Sequence, residues 1–320
     1  MTLQENDDDT YVVALDVGGT TIKAALYGAG HRPLHEVRRP TGGPEGAVEG
    51  ILGLAEELYE AGTARFGRPP AAAGVCVPGI VDARAGVAAY SANLGWRDLP
   101  LRRLLSERLR GLPVAIDHDM RTAGLAEARI GAAAGRSRFL FVALGTGIAG
   151  AIGIDGVIEP GANGGAGEIG HIVVRPGGPA CGCGLYGCLE TVASATAVGR
   201  AWAAASGDRE ATAAHAARAV AAGDPRAIAV WQASVDALAD GLLVAVRLLD
   251  PGTVVVGGGL AESGELLLGP LREALAARVT FQRMPDVLPA ALGDAAGCLG
   301  AGLLAQDARR LPTSTEVPQP

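Results

Sequence analysis

Apolar positions along the chain change period several times, and each change marks an element. Tyr11–Val17 (YVVALDV) is a short β-branched run that stops at Gly18-Gly19-Thr20, and a second run, Ile22–Tyr27, follows at once. Two such runs about a glycine turn predict a hairpin with Asp16 at its mouth. Glu45–Phe66 carries apolar side chains at helical spacing and is closed by Gly67 and Pro69, which predicts a long helix. The pattern then predicts a strand at Ala73–Val77, ended by Pro78-Gly79, and a short helix at Leu101–Leu109, stopped by Gly111 and Pro113. A strand at Val114–Ile116 follows. Asp119 sits where the next helix begins, with Thr122–Ile130 running on from it.

At Phe139 the opening pattern returns. FLFVALGTGIAGAIGIDGVIEP reads strand, Gly-Thr-Gly, strand, turn, as VVALDVGGTTIKAALYGAGHRP does. The repetition predicts an internal duplication into two related lobes. A long helix near Ala227–Leu249 ends at Asp250-Pro251-Gly252. Thr253–Val256 is then a strand running into Gly257-Gly258-Gly259 and a further helix. A last helix at about Ala295–Ala305 carries Cys298, read as a small core residue. Strands alternating with helices place the chain in the α/β class.

Composition narrows the function classes. At 320 residues with 49% hydrophobic content and a mean hydropathy of +0.26, the chain has material for two cores. The net charge is −7 with no basic block, which argues against nucleic acid as a partner. The first ten residues, MTLQENDDDT, are acidic and polar, the reverse of a signal peptide's order. The uncharged run Phe139–Ile154 is too short and too glycine-rich to span a membrane. A soluble cytoplasmic protein with no membrane partner is expected. Among 27 basic residues only Lys23 is a lysine, so its compact ammonium is a candidate chosen feature.

The densest chemistry lies in Gly164–Glu190, GGAGEIGHIVVRPGGPACGCGLYGCLE. Cys181, Cys183 and Cys188 with His171 supply three sulfurs and an imidazole, a full ligand set for tetrahedral zinc. The Cys-x-Cys spacing disfavours a local disulfide. With every position filled by protein, such a metal is structural and holds a loop. Glu168 and Glu190 bracket the cluster, and carboxylates on a stiffened loop suit sugar or polyol hydroxyls. Asn93 and Trp96, in SANLGW, offer an amide and an apolar face. Three glycine-rich turns follow strands, at Gly18-Gly19-Thr20, Gly145-Thr146-Gly147 and Gly257-Gly258-Gly259. Their converging N–H groups suit a triphosphate lying between lobes. None matches the P-loop or the dinucleotide fingerprint. Asp16 opens a phosphate turn and can hold Mg²⁺ directly or through water. Asp119 is a helix cap by position, and a general base only if its carboxylate also faces the substrate.

Taken together these residues resemble the ROK family (repressors, open reading frames and sugar kinases) across nearly all of residues 11–305. Asp16–Lys23 (DVGGTTIK) is similar to the family's first phosphate motif, Leu144–Ile152 to its second, and Val254–Leu260 to its adenosine motif. GEIGH at Gly167–His171 followed by CGCGLYGCLE at Cys181–Glu190 is similar to its zinc signature. The resemblance implies a two-lobed actin-like ATPase (ribonuclease H-like) fold, with Mg²⁺ and ATP in the cleft and structural Zn²⁺ in the loop. It implies a lobe at 11–117, completed by a C-terminal helix at 295–308, and a lobe at 118–294 carrying the zinc loop 164–190. Residues 1–10 and 309–320 are expected as disordered tails.

The resemblance further implies a homodimer or homotetramer and transfer of the γ-phosphoryl group to a hexose hydroxyl, on C6 of glucose, as in glycolysis. Asp119 falls on the catalytic base, and Asn93, His118, Asp119, Glu168, His171 and Glu190 on sugar contacts. His171 then serves twice, one ring nitrogen toward zinc and the other toward sugar. The chain departs from the family at Asp117-His118-Asp119-Met120-Arg121, where asparagines are usual at 118 and 121. Arg121 pointed at Asp119 would lower its pKa and weaken the base. An N-acetylated hexosamine or another hexose is the nearest alternative substrate. A sugar-sensing regulator of the family would carry a helix-turn-helix domain ahead of the first phosphate motif, where here only ten acidic-polar residues precede Tyr11. A sensor that binds sugar without transfer is the remaining alternative.

Overall fold

The computed structural model describes residues 10–91 and 94–310; of the tails expected at 1–10 and 309–320, residues 1–9 and 311–320 lie outside it, as does Asn93, whereas Arg309 and Arg310 continue the last helix. The chain divides into two units, one of Met1–Ala126 with Ala295–Pro320 and one of Glu127–Asp294.

The first unit opens with β1 (Val12–Val17), β2 (Thr21–Tyr27) and β3 (Pro33–Pro40), then α1 (Gly43–Phe66) and β4 (Ala73–Val77). A small sheet follows, made of β5 (Ile80–Asp82), β6 (Val87–Ser91) and β7 (Trp96–Leu99). Then come α2 (Leu101–Arg108), β8 (Val114–His118) and α3 (Asp119–Ile130). The main sheet has the order β3-β2-β1-β4-β8, antiparallel across the first three strands and parallel across the rest. β1 is central and buried on both faces. Val13, Leu15 and Val17 share one core with Ile51, Leu54 and Leu58 of α1. Val12 and Ala14 face another cluster containing Cys298, Ala301 and Ala305. Each buried aliphatic side chain contributes about 1.5–3 kcal/mol, so a one-residue slip of β1, which exchanges its faces, is strongly disfavoured.

The second unit repeats the plan: β9 (Arg138–Leu144), β10 (Ile148–Ile154) and β11 (Val157–Glu159), followed by helices α4 (Leu189–Ala193), α5 (Ala195–Ser206), α6 (Ala213–Ala221) and α7 (Pro225–Leu249). Then come β12 (Thr253–Gly257), α8 (Glu265–Ala276) and β13 (Asp286–Pro289). Its sheet order, β11-β10-β9-β12-β13, matches that of the first unit, with three antiparallel strands and then two parallel ones. The duplication read from the two hairpins is therefore present in the strand order. The long helix starts earlier than expected, because Asp224 caps it by accepting from Arg226 N–H at 2.9 Å and Pro225 takes the first position. α7 has the length and hydropathy of a membrane span, but Trp231, Val235, Leu238 and Leu242 lie in this unit's core.

The last helix, α9 (Ala296–Arg310), belongs to the first unit and runs past the expected end at 305. The division between units falls inside α3, beyond the 117/118 boundary expected from sequence. The reason is local: α3 runs without a break from Asp119, and the change of partners comes at Glu127. That fully buried carboxylate accepts N–H groups of Ala132 (2.7 Å), Ala291 (3.2 Å) and Leu292 (2.9 Å), all in the second unit. Buried carboxylates need such partners.

Candidate active site

In the first unit, Asp16 and Lys23 are direct partners in the β1–β2 register, with Nζ 3.6 Å from Oδ2. The turn between them is held by Gly18 N–H on Thr21 O (2.9 Å) and by Thr41 Oγ1 donating to Gly18 O (2.7 Å). Gly19 and Thr20 are exposed at its tip. The Cys76 thiol donates to Asp16 Oδ1 at 3.4 Å, and burial, with Asp16 beside it, pushes that thiol well up. Gly297 of α9 faces the same carboxylate, since a Cβ there would lie 2.6 Å from Asp16 Cγ. This is a hard oxygen donor in a tight recess, and it fits Mg²⁺ at a phosphate turn.

Asp119 is the first residue of α3, and its Oδ1 accepts Met120 N–H at 2.7 Å and lies 3.1 Å from His118 Nε2. Its carboxylate therefore serves the helix start and also meets a second side chain. Arg121 is buried, with Nε donating to Asp117 Oδ1 at 2.7 Å and a terminal nitrogen to Val81 O at 3.1 Å.

In the second unit, two of the glycine turns adjoin. Gly258 has φ 84°, and a Cβ there would lie 2.6 Å from the backbone of Leu144, at the end of β9. Such a position requires glycine. The Gly145-Thr146-Gly147 turn closes through Gly145 N–H on Gly147 O (3.0 Å) and is tied to α5 by Ala195 N–H on Gly145 O (2.9 Å). Thr146 and Gly259 line a cavity of about 500 Å³ together with Thr196 and Arg200 of α5, and with Arg209 and Thr212 ahead of α6. The volume lies within the roughly 300–1,000 Å³ usual for ligand pockets. Sequence reasoning missed this wall. Exposed arginines beside an alanine-rich helix carry no spacing signal.

The four expected metal ligands come together. One donor atom from each of His171, Cys181, Cys183 and Cys188 lies within 4.8 Å of the others. Cys183 and Cys188 sulfurs are 3.6 Å apart, and His171 Nδ1 is 3.4 Å from Cys181 Sγ. Tetrahedral zinc, with Zn–S of about 2.3 Å, needs sulfurs just under 4 Å apart, so the donor set fits. Isolated strand bridges Val173↔Cys188 and Ala180↔Tyr186 frame the loop. Without metal, burial pushes the Cys181 thiol up to about 12, while Leu185 N–H lowers that of Cys183.

The two bracketing glutamates also meet the cluster. Glu168 Oε2 is 3.7 Å from His171 Nε2, the ring nitrogen opposite the one facing the thiols. Glu190 Oε1 is 3.6 Å from His171 Nδ1 and accepts from Cys181 Sγ at 3.0 Å. Its other oxygen lies against the Gly145–Gly147 turn, where a Cβ on Gly147 would approach to 2.8 Å. Glu190 thus sits between the metal ligands and Gly147.

A duplicated α/β unit and glycine turns after matching strands define an actin-like ATPase fold, which here carries a Cys₃His cluster compatible with zinc. The chain belongs to the ROK family, whose sequence profile matches residues 12–308. A glucokinase of Halalkalibacterium halodurans is 34% identical over 315 residues, spanning 92% of this chain and 95% of that protein. The crystal structure of a ROK hexokinase from Thermus thermophilus is 37% identical, with a TM-score of 0.77 over 93% of this chain and 98% of that one. A ROK family glucokinase from Streptomyces griseus, solved in complex with glucose and AMPPNP, is 32% identical, with a TM-score of 0.79 over 93% and 99%.

Proposed function

We propose that this protein is a cytoplasmic sugar kinase that transfers the γ-phosphoryl group of ATP to the C6 hydroxyl of glucose. The carrying observation is the second unit's arrangement, in which a phosphate turn abuts Glu190 and Glu190 abuts a complete zinc ligand set. The glucose and AMPPNP bound in the Streptomyces griseus relative support the same pair of ligands here.

The roles divide by chemistry. Asp119 takes the hydroxyl proton. Asp16 is the carboxylate suited to Mg²⁺, and Lys23 with the Gly18–Thr20 turn of the first unit, and the Gly145–Gly147 turn of the second, each suit phosphate. The cavity beyond Thr146 and Gly259 takes the nucleoside. Glu168, His171 and Glu190 are suited to reading sugar hydroxyls, and Asn93 stays a sugar-contact candidate on sequence alone. Bound zinc supplies a crosslink that fixes His171 and its neighbours and takes no part in transfer. Phosphoryl transfer asks little covalent work of a protein, so positioning and charge neutralisation carry the catalysis. Thiolate ligands suit a reducing compartment.

The test is ADP release in the presence of glucose, N-acetylglucosamine, mannose and galactose, assayed one at a time. Glucose should give the highest kcat/KM, and absence of ADP release with every sugar would contradict the reading. For the nucleotide wall, Arg200→Ala should raise the KM for ATP about tenfold, the equivalent of ~1.4 kcal/mol. The KM for glucose should stay unchanged, as for loss of a contact made equally in ground and transition states. An unchanged KM for ATP would remove Arg200 from the pocket's working face.

A further inference from the structure

Six residues of the first unit form a connected chain that ends on Asp119. Arg121, 2% exposed, holds the Val81 carbonyl on β5 and Asp117 Oδ1 at the end of β8. The same Asp117 oxygen accepts the backbone N–H of His118 at 2.7 Å. From the other side, Thr122 Oγ1 donates to the His118 carbonyl at 2.8 Å. The main chain of His118 is therefore fixed at both its N–H and its C=O. Its imidazole, 13% exposed, then places Nε2 3.1 Å from Asp119 Oδ1.

We propose that His118 is a positioning residue for the general base and that the Arg121–Asp117 pair sets His118 in place. The proposal rests on the assignment of Asp119 as base. A carboxylate on a short side chain rotates easily about its terminal bond, whose torsional preference is broad. Two donors on Oδ1, the Met120 N–H and His118 Nε2, oppose that rotation and fix the direction of Oδ2. In the transfer step the sugar O–H bond breaks and its proton passes to Asp119 Oδ2. The sugar oxygen bonds the γ-phosphorus as the bond to the β–γ bridging oxygen breaks, and ADP departs. His118 exchanges no proton in this step. Arg121 thus acts at a distance, through Asp117, and the departure at 118 is a substitute fixture for the base rather than a sugar contact.

Steady-state kinetics on His118→Ala and His118→Gln, with Asp119→Asn as reference, tests this. His118→Ala should lower kcat by about 10–100-fold, the scale of a misoriented catalytic group. The KM values for glucose and ATP should stay within roughly twofold, and the thermal midpoint should be kept. His118→Gln, whose amide can donate to the same oxygen, should recover most of the lost turnover. Three results would overturn the proposal: full kcat in His118→Ala, a loss confined to the KM for glucose, or a glutamine variant as slow as the alanine variant. If Asp119→Asn keeps turnover, the base assignment itself fails; if it loses turnover while His118→Ala does not, only the role of His118 fails.

Discussion

Asp119→Asn should lower kcat by about 10²–10⁴-fold, the usual contribution of a positioned general base. Asparagine has nearly the same shape, and its oxygen can still accept Met120 N–H at the start of α3. The helix and the thermal midpoint should therefore survive, because the local backbone bond is kept. What the amide cannot do is take up the hydroxyl proton. The experiment separates the two roles that the position allows. Cap function persists in the variant and base function does not. Wild-type turnover in Asp119→Asn would reduce the residue to a helix-start carboxylate.

Removal of zinc should have the other large effect. Four ligands clustered within 4.8 Å imply about one zinc per chain by elemental analysis. Loss of a structural metal belongs to the few changes that cost more than about 4 kcal/mol, which in a unit of this size shifts the thermal midpoint by on the order of 10 °C. Cys183→Ala, or dialysis against a strong chelator, should produce that shift and raise the KM for glucose. The sugar-side effect follows from geometry, because Glu168 and Glu190 both lean on His171. Zinc uptake by the stripped protein at neutral pH should also release protons, since Cys181 is a thiol there without metal and a thiolate with it. A metal-free protein of unchanged stability would remove the structural role.

The parts of this site that could be read in the sequence are those with local causes. The Cys₃His cluster lies within one short loop, and its residue types alone suit zinc. The glycine turns are visible because a tight turn between two buried runs leaves few choices of residue. The duplication showed because both hairpins use the same order of apolar run, Gly–Thr element and apolar run. Other features depend on residues brought together only by folding. The strands β5, β6 and β7 are too short, and too interrupted by turns, to give a period. Arg121 looked like a charge placed next to the base, yet its guanidinium holds Val81, a residue 40 positions away in the chain. Arg200 and Arg209 line the cavity beside Thr146 and Gly259 from an alanine-rich helix and a surface turn, where any polar residue is ordinarily solvent-facing. Asp119 was legible by position as a helix start. Its bond to His118 needed the fold.

The central claim is phosphoryl transfer from ATP to a glucose hydroxyl by this chain. ³¹P NMR of a reaction containing the zinc-loaded protein, Mg²⁺, ATP and glucose tests it most directly. ADP and a phosphomonoester signal coupled to the C6 protons of the sugar should grow equally, with neither formed when glucose is omitted. ADP accompanied by inorganic phosphate alone, or no change in the ATP signals, would contradict it.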